Sequence, residues 1–159
     1  MSGFTILIGS GVADGRPNFL QRFCLMLNEL SLFTGYGGMT LGLKLAGLQV
    51  RTVCYVEIEP YCQEIIKARI KDKLLDDAPI WDDIRTFRGE QFRGLVDIIT
   101  AGFPCQPHST AGQRKGAADE RNFWPDTLRV ISEVGPELVL LENVPGILTN
   151  GYAGTVVGQ

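Results

Sequence analysis

The fold is decided in one stretch, Glu29 to Glu57, "ELSLFTGYGGMTLGLKLAGLQVRTVCYVE". Glu29 to Phe33 reads as a short buried strand, cut off by the glycine cluster Gly35-Tyr36-Gly37-Gly38. Met39 to Ala46 then reads as a helix closed by Gly47. Thr52 to Glu57 is β-branched and apolar, a second strand. A strand, a tight turn, a helix and another strand make a β-α-β unit, and such units build parallel sheets.

The same alternation runs outward along the chain. Pro60 suits the first position of a helix. Cys62, Ile65, Ile66, Arg69 and Ile70 give that helix one mostly apolar face. A weaker strand lies around Trp81 and a strong one from Leu95 to Ala101. Phe123, Leu128, Ile131 and Val134 recur at near-helical spacing until Pro136 breaks the run, and Leu138 to Leu141 is the last strand. The expected fold is α/β, a parallel sheet with helices on both faces. In such sheets ligands bind beyond the carboxyl ends of the strands. Those ends carry Gly35 to Gly38, Glu57, Asp83, Pro104-Cys105-Gln106 and Glu142-Asn143. Residues 1–27 show no periodicity and are expected as a leader outside the fold, with Met26 an alternative start. Residues 150–159 are a tail that stops soon after the fifth strand, so the domain is expected to be truncated. A sheet ending there would leave an apolar edge and face uncovered, which predicts poor solubility.

The chain of 159 residues is long enough for one domain with a core. It is 45% hydrophobic and 21% charged, ordinary for a globular protein. Net charge is −3 with no basic block, which on charge alone argues against nucleic-acid binding. Cys24, Cys54, Cys62 and Cys105 form no C-x-x-C pair, and His108 is the one histidine, so neither a disulfide framework nor a metal site is expected. Isolated cysteines suit a reducing compartment, hence a cytoplasmic location. No apolar run reaches membrane-spanning length, and the N-terminal apolar patch lacks the positive region of a signal peptide.

Each candidate residue has a functional and a structural reading. The glycines after the first strand let the backbone approach a ligand closely, or simply make a tight turn. Thr40 stands where a dinucleotide fingerprint would place its third glycine, so the motif is G-x-G-G. Glu57 ends the second strand, where a carboxylate accepts hydrogen bonds from ribose hydroxyls or is merely solvated. Together these point to an adenosine-bearing cofactor without a diphosphate. Asp83 could accept from an adenine amino group with Ile84 on the ring, or be a surface acid. Cys105 sits between Pro104 and Pro107, which restrict the loop and hold a thiol in one direction. It is a candidate nucleophile, or a small apolar residue at a strand end. His108 is read as a loop residue rather than its base. A protonated Glu142 could donate a hydrogen bond to a ring nitrogen, or the side chain could cap the following turn.

These pieces, in this order, resemble the DNA (cytosine-5) methyltransferase family. "SLFTGYGG" at 31–38 resembles its first cofactor motif and "GFPCQPHS" at 102–109 its catalytic Pro-Cys motif. "ENV" at 142–144 resembles its Glu-Asn-Val motif, and "DERNFWPDTLRVI" at 119–131 the segment linking the last two. The resemblance spans roughly residues 29 to 148. It implies a Rossmann-like S-adenosylmethionine-dependent methyltransferase fold, with residues 28–149 as the cofactor-binding and catalytic half. It also implies S-adenosyl-L-methionine as cofactor, held by Phe33, Gly35, Gly37, Gly38, Glu57, Ile58, Asp83, Ile84, Pro104 and Phe123. Cys105 and Glu142 become the catalytic pair.

The implied chemistry accounts for the constrained cysteine. C5 of cytosine is a poor nucleophile. Addition of the Cys105 thiolate to C6 makes C5 electron-rich, while Glu142 near N3 stabilises the developing charge. Methylation at C5, loss of the C5 proton and expulsion of Cys105 complete the cycle. The target atom is unreachable inside a duplex, so the cytosine must be flipped out of the DNA. Two departures are Ser31, where the family often has an acid, and His108, where it has an aromatic. The family's arginine motif, target-recognition region and closing helix have no counterpart here. Their absence accounts for the acidic balance, because DNA affinity depends on phosphate neutralisation. A second chain supplying that half is the partner this reading admits. The alternatives are an RNA cytosine-5 methyltransferase of the same chemistry and an inactive cofactor-binding fragment. A dinucleotide oxidoreductase is disfavoured by Thr40.

Overall fold

A computed structural model of the protein describes residues 3–8, 25–103 and 123–143. The strands are β1 (Gly3–Ile8), β2 (Leu27–Leu32), β3 (Val50–Val56), β4 (Ile80–Trp81), β5 (Ile98–Ala101) and β6 (Leu138–Asn143). The helices are α1 (Gly38–Leu45), α2 (Pro60–Lys71) and α3 (Trp124–Val134), with a short 3₁₀ turn at Gly89–Phe92. The sheet order is β1-β6-β5-β2-β3-β4. β2 runs parallel to both β3 and β5, and β6 is parallel to β5. From β2 the chain first steps outward through β3 to β4, then returns to the other side of β2 with β5. The order therefore reverses between β2 and β5, and the crevice beyond their carboxyl ends is where such sheets bind ligands.

Alternation along the strands sends side chains to two faces. Leu30, Leu32, Cys54, Val56, Ile99, Ala101, Val139 and Leu141 lie on one face and pack with Val130 and Val134 of α3 and with Phe87. Leu27, Ile98 and Leu138 lie on the other, against Leu43 and Leu48. Tyr55 packs with Ile66 of α2 and Leu75. The buried face of α3 is Trp124, Thr127, Val130 and Val134, while Leu128 and Ile131 lie at its margin. Of the expected stripe, Val134 is buried and Phe123, Leu128 and Ile131 pack against the core as partly buried residues, whereas Trp124, Thr127 and Val130 were not foreseen. The helix begins at Trp124, and Phe123 is its N-cap.

The largest difference from expectation is at the N-terminus. Gly3–Ile8, expected outside the fold, pairs antiparallel with β6 over six residues, from Gly3 opposite Asn143 to Ile8 opposite Leu138. The edge expected to be open is therefore covered. The physical reason is that β6 carries a row of backbone donors and acceptors that must be satisfied. The segment "GFTILI" has the β-branched composition of a strand. No described helix is long and apolar enough to cross a membrane.

Candidate active site

The turn after β2 is shaped by left-handed backbone. Phe33 has φ 51°, Gly35 55° and Gly37 74°. A left-handed phenylalanine is strained, and strain of this kind collects at functional sites. It is held by Thr34, whose N–H donates to Val56 O at 3.2 Å and whose hydroxyl donates to Ser31 O at 3.0 Å. The Thr34 hydroxyl also lies 3.1 Å from Ser31 Oγ, so the serine that stands where the family often has an acid helps brace the turn. Gly37 has a second constraint, since a Cβ there would lie 2.8 Å from Leu75 Cδ1. Gly38 opens α1 and faces free space.

Glu57 follows β3 and is 7% exposed. Its Oε2 accepts from Gly35 N–H at 2.6 Å and its Oε1 from Glu59 N–H at 2.8 Å. In a dinucleotide site the glycine amides after the first strand face a phosphate. Here the Gly35 amide is turned to a carboxylate, which sets a negative charge beside the turn. A diphosphate would be repelled, whereas sugar hydroxyls can donate to the lone pairs Glu57 has left.

Across from the turn, Asp83 and Ile84 follow β4. Asp83 is held by Arg85, whose Nη2 donates to Oδ2 at 2.7 Å and whose Nε donates to Oδ1 at 2.9 Å. The hydrogen bonds from Arg85 hold the Asp83 carboxyl below its ordinary range, so it is an ionised acceptor. Ile84 is buried. Phe123, at the start of α3, packs its ring 5.7 Å from that of Phe33.

These residues enclose one cleft of about 190 Å³. Phe33 lines it from the β2 turn, Val56, Glu57 and Ile58 from the end of β3, and Asp83 and Ile84 from beyond β4. Gly102 and Phe123 complete it. The structure thus brings together six of the ten expected cofactor residues. Gly35 reaches the cleft through Glu57, Gly37 and Gly38 shape the turn, and Pro104 lies outside the described residues. Val56 and Gly102 were not foreseen. An apolar slot whose polar groups are two carboxylates fits an adenosine, which offers ring faces, an amino donor and two hydroxyl donors.

Glu142 lies at the carboxyl end of β6 and is half-buried. A Cβ built on Gly102 would stand 3.5 Å from Glu142 Oε2 and 3.7 Å from Met39 Sδ. The acid therefore adjoins a lining residue of the cleft, three residues before Cys105. Cys105 and His108 lie outside the described residues. Of the other cysteines, Cys54 is buried, and burial pushes its thiol up to about 11, so it is inert.

A family model of C-5 cytosine-specific DNA methylases matches residues 27–156. The chain belongs to that family. Methyltransferases of this family take their methyl group from S-adenosyl-L-methionine. The chain is 34% identical over 128 residues to the type II methyltransferase M.NgoMIV of Neisseria gonorrhoeae, covering 78% of this chain and 38% of that protein. It is 35% identical over 133 residues to the type II methyltransferase M.Eco47II of Escherichia coli, covering 80% of this chain and 29% of that one. Among solved structures, the S. pombe Dnmt2 methyltransferase shares 30% identity at a TM-score of 0.62, over 82% of this chain and 40% of its own. The chain thus spans about two fifths or less of the length of these C-5 methylase relatives.

Sequence reading missed a fully buried acid. Glu29, read simply as the start of a strand, is 0% exposed. Its Oε1 accepts from Thr100 at 2.7 Å and Thr40 at 3.0 Å, and its Oε2 from Thr52 at 2.7 Å. Thr40, which departs from the dinucleotide pattern, has this internal role. The available signal was a polar residue in each of three adjacent strands, with Glu29 opposite Thr52 and Ser31 opposite Thr100 in register.

Proposed function

We propose that this chain is the cofactor-binding and catalytic half of a DNA (cytosine-5) methyltransferase acting through a Cys105 adduct. The observation that carries the reading is the cleft. Residues after β2, β3, β4 and β5 converge on one slot, with Glu142 beside it. Glu57 would hold the ribose hydroxyls, Asp83 the adenine amino group, and Ile84 and Phe33 the ring faces. S-adenosyl-L-methionine supplies an electrophilic methyl group when bound. Cys105 follows Gly102 by three residues, a chain length of at most about 10 Å, so its sulfur can reach the cleft mouth. Its thiolate would add to C6 of an extruded cytosine while Glu142 holds a proton at N3. On this reading residues 28–149 are the catalytic half. DNA in the cytoplasm is the substrate on the same reading.

Two measurements test this. The chain should bind S-adenosylhomocysteine in calorimetry. With S-adenosylmethionine and DNA carrying 5-fluorocytosine, it should form a denaturation-resistant adduct. Cys105→Ser should form none. An adduct from the serine variant refutes the nucleophile, and absence of binding refutes the cofactor site. Running the same trap on 5-fluorocytosine RNA separates the RNA reading. Cofactor binding without an adduct on either would mark a cofactor-binding fragment.

A further inference from the structure

We infer that Arg129 is a positioning residue that holds the adenine-side wall of the cleft; this rests on the S-adenosyl reading of that site. The wall is the segment after β4, residues 82–88, which has no helix or strand of its own. Local turns shape it, with Thr86 N–H donating to Asp83 O and Phe87 N–H to Ile84 O. Local turns set a loop's shape without setting its distance from the rest of the fold.

That distance is set from α3. Arg129 Nη2 donates to Ile84 O at 2.6 Å, and Nη1 donates to Phe87 O at 2.9 Å. Nη1 also meets Glu133 Oε1 at 2.9 Å, and Glu133 Oε2 accepts from Gly89 N–H at 2.8 Å. The loop is thus laced at three backbone groups to one face of α3. The fit is tight, since a Cβ on Gly89 would lie 2.9 Å from Glu133 Cβ. The first turn of the same helix follows Phe123, which lines the cleft. One rigid element therefore supplies one lining residue directly and fixes another, Ile84, through the guanidinium.

The geometry needs arginine. A planar fork bridges two carbonyls and a carboxylate at once, whereas a lysine ammonium on a flexible stem holds one of them well. Without the fork, the loop keeps only the packing of the buried Ile84 and Phe87 side chains, and the backbone at Ile84 and Asp83 is less sharply fixed relative to Phe123. Contacts to the ring edge then weaken first, and contacts to the ribose, held by Glu57 just after β3, are spared.

The readout is discrimination at the ring edge. S-adenosylhomocysteine carries the exocyclic amino group that Asp83 would accept, and S-inosylhomocysteine carries a carbonyl there. Kd for both is measured by calorimetry on the full chain and on Arg129→Gln and Arg129→Lys, with thermal unfolding alongside. Wild type should prefer the adenosyl compound. Both variants should bind it roughly tenfold more weakly and lose most of that preference, with Arg129→Lys melting lower than wild type but still folded at the assay temperature. Should the glutamine variant not fold, the lysine variant alone decides. Unchanged preference in a folded variant, an equal loss for both compounds, or no preference in wild type overturns the proposal. Failure of wild type to bind either compound overturns instead the cofactor reading beneath it.

Discussion

Glu29 offers a stringent test, because its network joins α1, β3 and β5 through one carboxylate. Glu29→Ala removes the acceptor for three buried threonine hydroxyls. At about 1 kcal/mol for each orphaned hydroxyl the loss is about 3 kcal/mol, a large part of a marginal stability of roughly 5–15 kcal/mol. The sign of the pH effect follows from the native environment. Burial raises the Glu29 pKa above its ordinary value near 4.5, partly offset by the bonds from Thr100, Thr52 and Thr40 and by Lys44. Above 4.5 the native state then binds more protons than the unfolded state, so stability falls as pH rises. The contribution is fully present below 4.5 and is lost as pH rises through the raised native value. Glu29→Gln keeps the shape and cannot ionise. Its stability relative to wild type should grow as pH rises from 4.5 and level off once the raised native value is passed, because titrations common to both proteins cancel in the difference. Urea unfolding followed by tryptophan fluorescence over that range measures both effects. A loss below about 0.5 kcal/mol in Glu29→Ala, or a pH-independent difference for Glu29→Gln, refutes the account.

Other outcomes rest on the same geometry. Gly37→Ala should cost about 1–2 kcal/mol for the left-handed backbone, and more because Leu75 must move, read as a lowered melting temperature. Glu57→Gln keeps an acceptor oxygen but offers an amide to Gly35 or Glu59 N–H, so S-adenosylhomocysteine should bind roughly tenfold more weakly in calorimetry. Thr100→Val leaves Glu29 Oε1 with Thr40 alone and should cost about 1–2 kcal/mol in urea unfolding, less than Glu29→Ala.

The order of strands and helices from Leu27 to Leu141 was legible because periodicity and punctuation agree there. Gly35 to Gly38, Gly47, Pro60 and Pro136 stand at element ends, and β-branched runs lie between them. The rim residues were legible for the same reason. Parallel strands all end on one side of the sheet, so Glu57, Asp83 and Glu142 could be grouped without coordinates. On α3 the centre of the buried stripe was missed, because Leu128 and Ile131 are apolar but sit at its margin while the polar Thr127 lies within it.

Local sequence alone determined that this is a parallel α/β domain with a glycine turn and an acid behind it, and it singled out the Pro-Cys motif. Those features depend on backbone preferences and on spacing within a few residues. Tertiary structure decided what depends on partners far along the chain. It brought Gly3–Ile8 to the free edge of β6, turned the Gly35 amide to Glu57, and buried Glu29 among three threonines. It also set Arg129 against the carbonyls of a loop some 45 residues away. An unsatisfied edge, a buried charge and an unanchored loop each need a partner, and pattern along the chain does not say which residue supplies it.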